Sequence, residues 1–130
     1  MHRRLRVLVP LVLIPVVVAG CGSGTASGGD LSAKPFTNEQ HHRAVTVELV
    51  DNNFEPAYVT ITKGTTVTFT NSGHNRHNVI SVGDAFTSSG LLETGERVKV
   101  TFTDTGDFAL FCSLHGTPTS GMTGGVRVLA

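Results

Sequence analysis

The segment Phe111–Met122, FCSLHGTPTSGM, holds Cys112, His115 and Met122. A thiolate, an imidazole and a thioether are soft or borderline donors. Together they suit a redox-active metal, copper above all. One more imidazole completes a set of four, and His77, in HNRHNVISV, is the best candidate. It borders a run that reads as a short strand, so its backbone is fixed. His74, three residues earlier, falls in a polar loop and is the weaker choice. A lone buried cysteine is usually a small apolar filler. Cys-x-x-His with a methionine a loop away is a more specific pattern.

Such donors need a scaffold that brings distant segments together. Val45, Val47 and Leu49 alternate with Thr46 and Glu48, the period of a half-buried strand. Asp51-Asn52-Asn53 is a turn signal. Phe54–Ile61 reads as a bend and then a strand, with Pro56 kept out of a central ladder. Thr65–Thr70, His77–Val82, Arg97–Phe102, Asp107–Cys112 and Thr123–Leu129 read as further strands. Asn71–Arg76 and Ser113–Gly121 read as loops. Gly83–Gly95 reads as a longer connection plugged by Phe86, Leu91 and Leu92. About seven or eight short strands at regular spacing, with no helical period, predict an all-β Greek-key β-sandwich. Residues 44–130 are its expected span. A core of this modest size gains stability from a bound metal.

The chain of 130 residues carries no formal net charge. Three of its arginines, Arg3, Arg4 and Arg6, lie in an apolar leader. From Cys21 onward, seven Lys+Arg stand against ten Asp+Glu, a charge near −3. No basic patch appears, so no nucleic-acid partner is expected. Residues 1–20 read as an export signal: a basic start, then a Leu/Val/Ile run too short and Pro-interrupted to span a membrane comfortably. The run ends Val18-Ala19-Gly20-Cys21, which resembles the bacterial lipobox. That resemblance implies cleavage before Cys21 and lipid on its sulfur and new amino terminus. A disulfide with Cys112 is therefore not expected. Residues 21–43, rich in Gly, Ser and Thr at their start, are expected to be a flexible tether, with His41-His42 as solvated linker.

The domain from Ala44 to Ala130 resembles a cupredoxin of the plastocyanin–azurin type. The resemblance rests on Cys112-Ser113-Leu114-His115, on Gly121-Met122-x-Gly124 running into the last strand, and on His77-Asn78-Val79 after a polar loop. Phe54-x-Pro56, Val59-Thr60-Ile61 and Gly64-x-x-Val67-x-Phe69 resemble the opening hairpin of that family. By that resemblance His77, Cys112, His115 and Met122 bind one copper ion, and Asn78 braces the Cys112 loop by hydrogen bonds. The six residues between His115 and Met122 form a longer loop than in plastocyanin.

Two imidazoles and a thiolate in a plane, with a long axial thioether, is the arrangement of blue copper electron-transfer sites. The expected function is one-electron carriage at the outer face of a membrane, by a monomer held through Cys21. A redox partner would dock near His115. Copper delivery is the alternative. A zinc site of His77, Cys112, His115 and His74 is a further rival. An enzyme is not expected. Cys112 lacks a third group for nucleophilic catalysis. Ser113 and Leu114 stand where multicopper enzymes carry extra ligands.

Overall fold

A computed structural model describes residues 30–130. The export signal, Cys21 and the start of the tether lie outside the described residues. The described chain forms nine strands. They are β1 (Thr37–Asn38), β2 (Ala44–Val50), β3 (Asn53–Glu55), β4 (Tyr58–Thr62), β5 (Thr66–Asn71), β6 (Ile80–Ser81), β7 (Arg97–Thr101), β8 (Gly106–Thr117) and β9 (Ser120–Leu129). One sheet runs β1-β4-β9-β8-β6 and the other β3-β2-β5-β7. This is the expected all-β sandwich, with more strands than the alternation suggested. The excess comes from β1 and from the division of Phe54–Ile61 into β3 and β4 on either side of Pro56. No helix among the described residues is long and apolar enough to cross a membrane.

The core forms where the alternation predicts. Val45, Val47 and Leu49 from β2 and Val67 and Phe69 from β5 meet Val59, Ile61, Leu110, Val126 and Val128 of the other sheet. Phe54 meets Phe69 edge-on, with ring centroids 6.4 Å apart. Phe102 contacts both Phe86 and Phe108 at the same kind of angle. Of the three expected plugs, Leu92 is buried and Phe86 packs against the core. Leu91 is instead exposed.

The folded domain begins before Ala44, which corrects the expected tether. Leu31 is buried beside Gly125 and Tyr58. Phe36 meets the Tyr58 ring edge-on, and the Arg127 guanidinium lies 4.1 Å over the Phe36 centroid. Arg127 is itself held by a two-pronged pair with Asp107, both contacts at 2.8 Å. Two apolar side chains in a polar stretch thus suffice to dock residues 30–38, and β1 adds a parallel edge to β4. His41 and His42 stay exposed, as expected.

Strand direction decides which end carries the chemistry. β8 turns into β9 at Pro118-Thr119, so β9 runs away from that tip. β4 and β1 run parallel to β9. The chain therefore enters the domain from the hairpin-tip end, and Asp30 and Leu31 share a surface hollow with Pro118 and Thr119. β6 is antiparallel to β8, which brings the residues before Ile80 to the same end.

Candidate metal centre

Three of the four candidate ligands belong to the β8–β9 hairpin. Sequence reasoning expects Ser113–Gly121 as a loop. The structure instead continues both strands through it, closing on a two-residue turn. Phe111 pairs with Thr123 and Gly116 pairs with Gly121. Between these pairs Cys112, Ser113, Leu114 and His115 face Met122 alone. Four residues against one is a large bulge, and a bulge re-aims side chains that a regular ladder would send to alternate faces. It brings Cys112 and His115 together, opposite Met122.

Glycine makes the crossing of the two arms possible. A Cβ on Gly121 would sit 2.5 Å from the His115 carbonyl oxygen, and its φ is +73°. A Cβ on Gly116 would sit 2.7 Å from the Met122 nitrogen. Positive φ and close approach together account for the glycine at 121. Close approach of two backbones accounts for the one at 116.

His77 arrives from the other side. Its expected strand, His77–Val82, shortens to β6, followed by a 3₁₀ turn at Val82–Asp84. His77 itself forms an isolated bridge with Leu92. His77 N–H donates to the Leu92 carbonyl at 3.2 Å and Leu92 N–H donates back at 2.7 Å. Asn78 then ties this segment to the hairpin. Its side-chain amide donates to Ser113 Oγ at 2.8 Å, and its carbonyl oxygen accepts from Ser113 N–H at 2.8 Å. The Asn78 backbone N–H points to Cys112 Sγ at 3.5 Å. The bracing role implied for Asn78 is thus present in the geometry.

The outcome is a compact donor set. Cys112 Sγ lies 3.8 Å from His77 Nδ1 and 3.6 Å from His115 Nδ1. The three donor atoms all lie within 4.8 Å of one another. An ion about 2.3 Å from sulfur and about 2.0 Å from nitrogen would set S···N separations of about 3.5–3.8 Å at tetrahedral to trigonal angles. The two S···N distances meet that requirement without rearrangement. His77, Cys112 and Met122 are buried, and Cys112 has no accessible surface at all. His115 is half-buried, with its ring centroid 4.9 Å from that of His77. Cys112 is a free thiol.

Burial, and next the neighbouring His115, hold the His77 imidazole below its ordinary pKa of 6.5, while Asp51 pulls weakly the other way. A metal ligand must be neutral imidazole, and a depressed pKa keeps it so. His74 does not join the set. Its side chain is 95% exposed and pairs with Asp51 at 3.7 Å. The four-ligand zinc alternative that required it therefore lacks a ligand.

Sequence reasoning missed Asn71, placed simply at the start of a polar loop. Its side chain is buried and reaches the segments on both sides of His77. The available signal was an asparagine closing a strand of alternating apolar residues, where its own hydrogen bonds could shape the next turn.

Comparison with known proteins agrees with this geometry. The family described as copper binding proteins, plastocyanin/azurin family, matches residues 41–129. Among solved structures, a copper-containing nitrite reductase from Thermus scotoductus SA-01 is similar, at 29% identity and a TM-score of 0.56. That match covers 67% of this chain but only 22% of the reductase chain. A purple cupredoxin from Nitrosopumilus maritimus is 26% identical, with a TM-score of 0.58, over 65% of this chain and 99% of that one. A reduced amicyanin variant is 27% identical, with a TM-score of 0.58, over 66% of this chain and 82% of the other. Comparison with curated proteins gives no match. A thiolate and two imidazoles within 4.8 Å of one another, with Met122 buried on the hairpin that carries Cys112 and His115, make a single type 1 copper site of His77, Cys112, His115 and Met122. On that site and the family match, the chain is a metal-binding protein rather than an enzyme, and it belongs to the plastocyanin/azurin family of copper-binding proteins.

Proposed function

We propose that this chain is a monomeric one-electron carrier working at the outer face of a membrane, anchored through lipid on Cys21. One observation carries the electron-transfer reading: the asymmetry of burial at the site. His77, Cys112 and Met122 are closed to solvent, while His115 keeps an accessible edge. A delivery protein needs a path for the ion itself. An electron carrier needs only a short path for the electron, and one imidazole edge supplies it.

Bound copper supplies a couple between its cuprous and cupric states. The residues supply constancy. Cys112 and His115 are fixed by the bulge, His77 by its bridge to Leu92, and the two segments by Asn78. Donors packed this closely have little room to move, so the site changes little between oxidation states.

The surroundings of His115 favour a transient partner. Leu114, one residue before it, is 49% exposed. Pro118 and Gly121 are exposed at the hairpin end. A small apolar rim of this kind supports brief redox encounters, which bury less than about 1,200 Å².

The membrane reading gains support from where the chain enters. Asp30 follows Cys21 by nine residues. That length spans at most about 32 Å when fully extended. An anchor at Cys21 therefore joins the domain from its metal-bearing end and keeps the His115 edge near the lipid surface. The partner expected there is itself a membrane protein.

Adding Cu(II) to the protein should produce an intense visible band from thiolate-to-copper charge transfer. A reductant should bleach it, an oxidant restore it, and the ion should stay bound against a Cu(I) chelator through repeated cycles. Fast loss to the chelator with slow electron exchange would favour delivery instead. For the anchor, Cys21→Ser should move the protein from the membrane fraction to the soluble fraction. A wild-type protein already soluble would end the lipid proposal without touching the copper site.

A further inference from the structure

We infer that Asn71 is the positioning residue for the copper ligand His77, holding it through the main chain because the imidazole has no outer hydrogen bond of its own among the described residues. A metal-bound histidine almost always donates its second ring N–H to an acceptor, which fixes the ring. His77 Nε2 is buried and has no hydrogen-bond partner among the described residues. Nδ1 is the atom that faces Cys112. In the metal-bound neutral form the proton must then sit on Nε2, with no acceptor for it among the described residues. Orientation has to come from packing and from the backbone.

The backbone support converges on Asn71. This side chain has no accessible surface. Its amide donates to the Leu92 carbonyl at 2.9 Å, the same oxygen that accepts from His77 N–H. It donates also to the Asn75 carbonyl at 2.8 Å, two residues before His77. Its own carbonyl oxygen accepts from Gly73 N–H at 3.0 Å. Two backbone bonds, Gly95 N–H to Asn71 and Asn71 N–H to Glu96, hold the same strand end to the far side of the connection. One amide thus closes the turn after β5, pins the approach to His77 and fastens the partner of its bridge. An asparagine offers two donors and one acceptor group in one rigid plane, and this one uses all three.

A buried asparagine can also be merely a satisfied turn residue. The two roles separate in what they move. A fold residue changes thermal stability and leaves the metal signature of the folded protein alone. A positioning residue changes the metal signature as well.

Asn71→Asp keeps size and the acceptor toward Gly73 but turns the donors into an oxygen facing two carbonyls. At a temperature where the variant is folded, the expected result is a shifted or weakened visible band and copper affinity lowered about tenfold or more. Ile61→Ala, in the core strand β4, is the stability control. It should lower the melting temperature and leave band and affinity unchanged. Asn71→Ser is the milder second variant, with an effect in the same direction. Should Asn71→Asp or Asn71→Ser melt lower but match the wild type in band and affinity, the inference is overturned. If neither folds, the wild-type Cu(I) protein decides by NMR. The Asn71 side-chain amide protons should exchange slowly in both metal-free and Cu(I) forms, and rapid exchange would overturn the role. The inference rests on the copper site and not on what the electron is used for. A wild type without a visible band would refute the copper assignment, which is a different failure.

Discussion

The two halves of the copper site are held by different means. Cys112, His115 and Met122 sit on one hairpin, and a bulge of four residues against one brings Cys112 and His115 together, opposite Met122. His77 lies 35 residues before Cys112 and reaches it through a single bridge to Leu92, with Asn71 and Asn78 as braces. The hairpin half is steric. Its glycines leave no room for a Cβ, so the arms have one way to cross. The His77 half is polar, and its geometry depends on a few buried hydrogen bonds. The hairpin half should therefore fail through crowding, and the His77 half through lost donors or added protons.

The largest effect expected is from Cys112→Ser. The hairpin should still fold, since serine fits the same volume, but the visible band should vanish. A variant that keeps both colour and copper would refute the assignment of the sulfur. Next comes Gly121→Ala. A methyl 2.5 Å from the His115 carbonyl, at φ +73°, has to push the arms apart. Strained backbone of this kind costs about 1–3 kcal/mol, measurable by denaturant unfolding of the metal-free protein. Band and affinity should suffer too, because His115 and Met122 move together. An unchanged band would show that the crossing does not set the site. Met122→Leu is gentler. Leucine keeps the volume and removes a weak sulfur donor that favours the oxidised ion. Copper should stay bound and the reduction potential should rise. An unaltered potential would place some other group in the axial position.

The same contrast explains what could be read from the sequence. The hairpin ligands were legible because local spacing encodes them: Cys112, His115 and Met122 in a stretch rich in glycine. The core was legible because Val45, Val47 and Leu49 obey a period of two. What escaped was contact between distant segments. Nothing local marks Asn71 as reaching Leu92, since the two are 21 residues apart. The hairpin extension of Ser113–Gly121 escaped because Gly-Thr-Pro-Thr-Ser-Gly has the composition of a loop, and only pairing of Gly116 with Gly121 makes it strand. The end of the expected tether, residues 30–43 of 21–43, looks like linker in sequence for the same reason. Leu31 and Phe36 are isolated in sequence and gain meaning only against Gly125 and Tyr58.

The smallest effect is a pH dependence confined to the His77 half. In the unfolded chain His77 titrates near its ordinary value of about 6.5. In the fold, burial and His115 hold it lower, with Asp51 opposing. Between those two values the unfolded chain binds more protons than the folded one, so stability rises with pH and falls on acidification. The metal-free protein should therefore lose stability as pH drops below about 6.5. The slope from this one group is at most about 1.4 kcal/mol per pH unit, flattening below the folded-state pKa. His77→Gln keeps a polar side chain of similar reach but cannot titrate, so its stability should be flatter from pH 6.5 down to pH 5, above the range where carboxylates begin to take up protons. If His77→Gln keeps the wild-type slope, the proton sensitivity lies outside the site, and the polar half is no more acid-labile than the hairpin.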